Sequence, residues 1–593
     1  MSHKSRFELL SRYETDEEGV SASGSDGEPV EDADDLTGEA VASTQRHESD
    51  GTTVSGFRWR AGSTSRKYFR ADEDHHSLQL EPEERLCLVG SYTVEWQPTA
   101  DGTGATLSLN GVALSQVEHS ISLRIDAFPW QCLPVLEARH GCLDLRIQVV
   151  PSSVPCLFPA SPGGTRASSR TPCAYRHEVF DRIQCRLRAS LTKTREAPTL
   201  LVVGARNSGK SMLAAQLTHL LLQHCEQVAY IDLDVGQNAL APPGCLSAQL
   251  VHSVAWPLAR ARRQRLRTLF YGYVTPLHDP RRYVGLARRL LHTARAARQS
   301  MTAPLPLVIN TIGWVHGFGA TLAEQIAKVV QPTLVLHTDA AGASECPPVV
   351  HHPAAECHLF VDIASTVAGC RSRSRLSAAD ERAAQIATHL LAEAEDSSEI
   401  PTALDSLGDA FRWCLYERRP AYPVSRALCS SPPWCIGIDA LDGVWMVDGG
   451  DEYALRTLDA DDNTDLDWWQ ALNGSVVALC TQMLRDADGG VVGADAVGVG
   501  LVRAVDASHR LLYLVSAVSA ADMAAVSALA ISPYVQLPAT VLPSGTMQME
   551  PFLAPPSTFG VADHSMEAPM HSRKNLARQR LAASTAAEHP RAV

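Results

Sequence analysis

Gly204-Ala205-Arg206-Asn207-Ser208-Gly209-Lys210-Ser211 decides how the middle of this 593-residue chain folds. The octapeptide fits G-x-x-x-x-G-K-[ST], and its flanks are those the pattern needs. An apolar run, Leu200–Val203, precedes it, and a helical pattern, Met212–Gln223, follows it. Glycines at 204 and 209 let the backbone curl so that successive N–H groups face phosphate oxygens, and the helix N-terminus adds partial positive charge. Lys210 is placed to reach the β- and γ-phosphates of a nucleotide, and the Ser211 hydroxyl to ligate Mg²⁺. All eight residues are candidate nucleotide contacts. Only six of the 52 basic residues are lysines. A lysine kept here in an arginine-rich chain fits a compact ammonium seated between phosphates, where a planar guanidinium would not go.

Working outward, Ala229-Tyr-Ile-Asp232-Leu-Asp234-Val-Gly-Gln237 is an apolar strand ending in carboxylates. Asp232 and Asp234 share one strand face, because side chains alternate with period two. One carboxylate suits the water shell of Mg²⁺ and the other a proton from an attacking hydroxyl; spacing leaves the assignment open. Further on, Val308-Ile-Asn310-Thr311-Ile-Gly313-Trp314-Val-His-Gly317 is a buried strand opening into a polar loop. Strand C-termini of a parallel sheet line the ligand crevice, where Trp314 either packs the loop or stacks on a base, worth roughly 1–3 kcal/mol. No N-K-x-D guanine signature is present, with His337-Thr-Asp339 the nearest approach, so a GTPase is the weaker reading.

Strands and helices alternate through residues 176–395, which predicts a parallel sheet covered on both faces. Short strand-like runs fill residues 81–150, with Asn110-Gly111 as a turn, and residues 396–546. The expected architecture is therefore α/β: a central P-loop NTPase domain with a parallel sheet, flanked by N-terminal and C-terminal β-rich domains. Residues 1–80 read as an acidic tail, 151–175 as a Pro/Ser/Gly linker and 547–593 as a mobile tail. Residues 14–45 hold eleven acids and no Lys or Arg, and setting those charges aside takes the formal net charge from −14 to −3. Bulk charge therefore says nothing about a polyanionic partner.

Leu511–Ile531 is the longest apolar stretch, but Asp522 in it makes a membrane span improbable. The first thirteen residues have no apolar signal core. Fifteen cysteines without a C-x-x-C pair suit a reducing compartment. His351-His352 with Cys357-His358 has metal-ligating residue types without ligand spacing and reads as a loop. Asp459–Asp467 lacks the glycine and glutamate of a calcium loop. Eleven arginines and one acid between residues 260 and 300 are compatible with an RNA-lining groove or a solvated face.

Gly204–Ser211, Asp232–Gly244 (DLDVGQNALAPPG), Phe270–Tyr283 (FYGYVTPLHDPRRY) and Asn310–Gly319 (NTIGWVHGFG) together resemble the polynucleotide 5′-hydroxyl kinases of RNA processing. Leu472–Leu479, Gly498–Asp506 and Arg573–Arg578 resemble the nucleolar, pre-ribosomal RNA branch more than its sister, the kinase subunit of the pre-mRNA cleavage factor. The resemblance spans about residues 85–580. It implies ATP and Mg²⁺ held by Lys210 and Ser211, with Asp234 as the general base that also touches the metal shell and Asp232 as its support. It implies a clasp of Thr311 and Trp314 on the terminal nucleotide, and a lid drawn from Arg371, Arg373 and Arg375. Ala205, Arg206 and Met212 depart from the family's usual Pro, Lys and Thr. The implied activity is transfer of the ATP γ-phosphate to an RNA 5′-hydroxyl during internal transcribed spacer 2 processing, in the nucleus and nucleolus. The implied partner is an endoribonuclease that makes the 5′-hydroxyl end, contacted through the C-terminal region. A non-catalytic ATP-binding scaffold subunit of an RNA 3′-end cleavage or tRNA-splicing complex is the alternative, and a DNA-directed kinase a third reading.

Overall fold

A computed structural model describes residues 56–59, most of 75–149, part of 181–187, 197–338 except Asn207, 357–361, 378–391, 428 and most of 431–537. These fall in one compact unit.

The central sheet is built from runs that the sequence marks as continuously apolar. Thr199–Gly204 (β1), Val228–Asp232 (β2), Leu307–Asn310 (β5) and Leu334–Thr338 (β6) are buried along their whole lengths. Cys245–Val251 (β3) and Arg263–Phe270 (β4) lie between β2 and β5 in sequence, and Cys357–Val361 (β7) follows β6. The order across the sheet is β7-β6-β1-β5-β2-β3-β4. The first five strands pair in parallel, whereas β3 is antiparallel to β2 and β4 antiparallel to β3.

Alternation along each strand feeds two cores. Leu200 and Val202 join one cluster while Leu201 and Val203 join the other. With both faces covered, no polar face is left to interrupt the run. Helix α1 (Lys210–Leu221) fills one face, and α2 (Pro280–Ser300) and α3 (Phe318–Val330) the other. In α2 the buried residues Tyr283, Leu286, Ala287, Leu290, Leu291 and Ala294 recur at helical spacing, and Asp279 caps the start by accepting from Arg282 N at 3.0 Å. Helix α4 (Ala378–Leu391) lies where the sequence predicts a helix over Ser377–Leu391.

Two five-stranded sheets form the N-terminal region. One is ordered Gly56–Trp59, Arg85–Leu88, Val135–Arg139, Thr106–Leu109, Val112–Leu114; the other Ala255–Trp256, Leu123–Ala127, Gly90–Pro98, Leu143–Val149, His75–Leu80. The Asn110-Gly111 turn is present, with φ of 50° and 85°. Gly56–Trp59 and His75–Leu80 correct the reading of residues 1–80 as tail throughout. His75–Leu80 has only two apolar residues, and it is a strand because Leu143–Val149 offers an edge, with Leu78 opposite Leu145 and Leu80 opposite Leu143. Cys357-His358 is likewise strand and not loop, since β6 supplies parallel partners at Leu334 and Val335. The acidic stretch 14–45, His351-His352, Asp459–Asp467 and both tails' remaining features lie outside the described residues.

The C-terminal strands do not make a sheet of their own. Val476–Arg485 (β8) and Val491–Asp506 (β9) extend the central sheet, Leu269 and Phe270 of β4 pairing with Asp495 and Ala494 of β9. Ala528–Ile531 and Gly443–Met446 continue it beyond β8, and Trp434–Gly437 with Leu511–Val515 branch from β9, giving thirteen strands. Leu511–Ile531 thus resolves into strand, short helix and strand, and among the described residues no helix is long and apolar enough to cross a membrane.

Candidate active site

The turn after β1 bends where its glycines permit. Gly209, at the N-cap of α1, has φ 84° and ψ 16°, a left-handed conformation suited to glycine, and no side chain caps the helix. The first-turn N–H groups are therefore left for a ligand. Lys210 Nζ donates to the Ala205 carbonyl at 2.7 Å, folding back over the loop. Burial lowers its pKa from the ordinary 10.5 to about 8, against an opposing pull from the Asp234 charge. Ser208 Oγ bonds Thr338 Oγ1 at the end of β6, tying the loop to the neighbouring strand. Asn207 lies outside the described residues.

Asp232 and Asp234 come together beside this loop but differ in environment. Asp232 is fully buried; its Oδ1 accepts from Asp234 N at 3.0 Å and Asn310 Nδ2 at 3.0 Å, and its Oδ2 from Ala239 N at 2.7 Å. Burial first, and the Asp234 charge second, push its carboxyl up to about 7. Asp234 is only half-buried, and both bonds it accepts, from Gly236 N at 2.9 Å and Gln237 N at 3.0 Å, fall on Oδ1. Asp232 organises the turn, whereas Asp234 has an oxygen to offer.

Two asparagines that spacing did not single out, and a helix beside them, complete the arrangement. Asn310, fully buried at the end of β5, donates through Nδ2 to Asp232 and to Ser211 Oγ at 3.2 Å. Its Oδ1 is buried with no hydrogen-bond partner, an acceptor that wants a proton donor in the site. Asn238 braces the turn after Asp234: Nδ2 donates to Cys245 O at 3.2 Å, and Oδ1 accepts from Leu240 N, Ala241 N and Ser247 Oγ. Helix α4 is clipped to the same turn, Gln385 Nε2 donating to Ala241 O at 3.2 Å and Gln237 Nε2 to Glu381 Oε2 at 2.6 Å. Asn310 and Asn238 lie inside quoted motifs, but which asparagine is a brace depends on tertiary partners. Ser211 and Asp234 carry oxygens of the kind a hard divalent cation takes alongside nucleotide phosphates.

The loop after β5 packs onto the phosphate loop. A methyl group on Gly313 would lie 2.7 Å from Arg206 Cα and 3.0 Å from Lys210 Nζ, so glycine permits the approach. Thr311 is buried and donates Oγ1 to Val202 O at 2.7 Å; it ties the loop to β1 instead of offering its hydroxyl. Trp314 packs partly against the core, its ring centroid 5.7 Å from that of Phe318. Arg371, Arg373 and Arg375 lie outside the described residues.

The arginine-rich stretch works differently from a groove lining. Arg267 makes a two-pronged pair with Asp495, at 2.6 and 2.8 Å, across the β4–β9 seam. Arg295 caps the end of α3 at Val329 O and Val330 O, and Arg298 reaches Leu305 O, Pro198 O and Thr199 Oγ1. Arg282 lies over the Trp445 ring at 4.6 Å. Arg265 pairs with Asp522, and Arg263 and Arg289 donate to the carbonyls of Ala259 and Arg485. Seven of the eleven thus hold the fold together. Composition could not reveal this, because a carbonyl partner leaves no mark in the sequence.

A strand opening through Gly-x4-Gly-Lys-Ser into a helix, with a parallel strand two places away in the sheet leading into carboxylates, defines a P-loop nucleotide-binding protein. Residues 204–390 match the family model described as mRNA cleavage and polyadenylation factor CLP1 P-loop, and residues 451–537 that described as NOL9-like, C-terminal domain. Beyond these matches, the chain is similar to proteins named polynucleotide 5′-hydroxyl-kinase NOL9 or GRC3. The NOL9 protein of Arabidopsis thaliana is 37% identical over 145 residues, covering 23% of this chain and 39% of that one. The grc3 protein of Schizosaccharomyces pombe is 33% identical over 147 residues, 24% of this chain and 20% of that one. The NOL9 protein of Bos taurus is 24% identical over 469 residues, 73% of this chain and 62% of that one. The match spans less than two thirds of each relative's length. A solved structure of wild-type Clp1p with Pcf11p aligns over 79% of this chain and 99% of that chain, at 13% identity and a TM-score of 0.48.

Proposed function

We propose that this protein is an ATP-dependent polynucleotide 5′-hydroxyl kinase that transfers the γ-phosphate of ATP to the 5′-hydroxyl of RNA. The carrying observation is the pairing of unequal carboxylates beside Lys210: Asp232 fully buried and bonded, Asp234 half-buried with both its bonds on one oxygen. The names of the relatives and the family match support the same reading.

Phosphoryl transfer needs little covalent help from the protein, so positioning and charge neutralisation are the main tasks. Gly204–Ser211 would wrap the ATP phosphates with backbone N–H groups, and Lys210 would swing from Ala205 O to the β- and γ-phosphates. Asp234 would accept the proton of the attacking 5′-hydroxyl, and Asp232 would hold the turn that aims it. Mg²⁺ would supply charge neutralisation between the phosphates; Ser211 and Asp234 would hold it, and the orphaned Asn310 Oδ1 fits a proton from its water shell. Thr311 would fix the clasp loop through β1, with Trp314 facing the terminal nucleotide. Arg371, Arg373 and Arg375 are proposed as the source of a phosphate-closing arginine.

The natural setting we infer is pre-rRNA processing at internal transcribed spacer 2, in the nucleolus, beside an endoribonuclease that leaves 5′-hydroxyl ends. The NOL9 name of these relatives supports the nucleolar part of this setting. The test is transfer of labelled phosphate from ATP to a 5′-hydroxyl oligoribonucleotide, with a DNA oligonucleotide in parallel. Wild type should label RNA, and Lys210→Ala and Asp234→Asn should each lose at least a hundredfold. ATP binding without transfer would favour the scaffold reading, and full activity in Asp234→Asn would remove the assigned base.

A further inference from the structure

Only two large hydrophobic side chains among the described residues are markedly exposed, Leu277 at 39% and Phe318 at 43%. Scattered exposed apolar residues need no explanation. Two that frame one site do. Phe318 opens α3, just after the β5 loop that packs on Lys210, with its ring beside Trp314. Leu277 follows β4. Because β4 is antiparallel to β3 and β3 to β2, the C-terminal ends of β2, β4 and β5 meet the same sheet edge. Asp234, after β2, therefore stands between the two exposed side chains. The Leu277 loop is fixed against it: a methyl on Gly236 would lie 2.9 Å from Val274 O and 3.5 Å from Asp234 Oδ1.

That loop carries a layered aromatic surface. The exposed His278 ring stacks on Tyr273, centroids 4.8 Å apart and 16° from parallel, and meets Tyr534 at 4.7 Å. Tyr273 and Tyr534 are themselves in contact at 5.3 Å. Each rim also has an exposed cation, Arg281 four residues after Leu277 and Arg206 under the Gly313 loop. Flat π surface beside a cation is what holds the bases and backbone of single-stranded nucleic acid without reading sequence. From β5 to β4 is three strand spacings, roughly 14 Å, too wide for one base to touch both rims.

We propose that the Leu277–His278 loop is a second base-stacking face, so that the acceptor is a single-stranded 5′-hydroxyl end held over more than its first nucleotide, with Phe318 widening the first face beside Trp314. This rests on the kinase reading of the same site. A blunt duplex keeps its bases paired and cannot splay them onto two rims.

The test measures binding of a fluorescent single-stranded 5′-hydroxyl oligoribonucleotide by anisotropy, separately from label transfer, for Leu277→Ser, His278→Ala, Phe318→Ser and Phe318→Tyr. Loss of one stacking face should weaken binding about tenfold and raise KM for the oligonucleotide more than it lowers kcat. Phe318→Tyr should restore binding, ATP affinity should stay at the wild-type value as the folding control, and a blunt duplex should compete poorly. Wild-type oligonucleotide binding in both Leu277→Ser and His278→Ala, or equal competition by the duplex, would overturn the proposal. A wild-type protein that transfers no phosphate, yet loses oligonucleotide binding in these variants, would sink the kinase reading and leave the stacking face standing.

Discussion

Replacing Lys210 by methionine should make the nucleotide-free protein more stable while abolishing its response to ATP. The Lys210 pKa falls from its ordinary 10.5 to about 8 because the ammonium is buried before any phosphate is there to meet it. At 1.36 kcal/mol per unit, a shift from 10.5 to about 8 corresponds to about 3 kcal/mol of destabilisation. The group is depressed in the folded state, so between pH 8 and 10.5 the unfolded chain binds the extra proton and stability rises with pH. The penalty is complete below pH 8 and vanishes above 10.5. Lys210→Met should therefore gain up to about 3 kcal/mol at pH 7, shrinking to roughly 1 kcal/mol at pH 9.5. Methionine matches the stem in volume, which keeps a cavity term out of the comparison. Denaturant midpoints at the two pH values, with and without MgATP, measure the effect. An Lys210→Met protein no more stable than wild type at pH 7, or an advantage that ignores pH, would refute the reasoning.

Gly313→Ala should weaken ATP binding at least tenfold by calorimetry, because the added methyl meets the Arg206 backbone at 2.7 Å, which cannot step aside as a side chain would. Thr311→Val should lower stability by about 1–2 kcal/mol in denaturation, since the buried Val202 carbonyl loses its Thr311 donor at 2.7 Å. A double-mutant cycle on Arg267→Met and Asp495→Asn should show a coupling of about 1–3 kcal/mol, reflecting the two-pronged pair across the β4–β9 seam.

The phosphate loop, the parallel strands and the carboxylates were legible because each is local. A glycine turn needs Gly204 and Gly209, and a strand covered on both faces must be apolar without a break. The antiparallel return at β3 was not legible. It depends on the turn between Asp232 and Cys245, where Asn238 spends its whole side chain on partners up to nine residues away. Spacing alone left Asp232 and Asp234 undivided, and only the resemblance told them apart: two positions on one strand face look alike until burial separates them. Thr311 marks another limit, since its motif does not tell that its hydroxyl is turned inward to Val202 O. His75–Leu80 and Cys357–Val361 are strands through the edges they meet, and composition alone offers no trace of that.

The continuity of one sheet from β7 to the C-terminal strands has a consequence for how the chain comes off the ribosome. β4 ends at residue 270 and its partner β9 begins at 491, so some 220 residues must be made before that flank is covered. At roughly 5–20 residues per second the wait is about ten to forty seconds, during which β4 is an open edge able to recruit a wrong strand. Arg263, Arg265 and Arg267 place three cations on that strand. Charge on a waiting edge discourages intruders, and once Asp495 and Asp522 arrive, Arg267 and Arg265 become the stitches that close it.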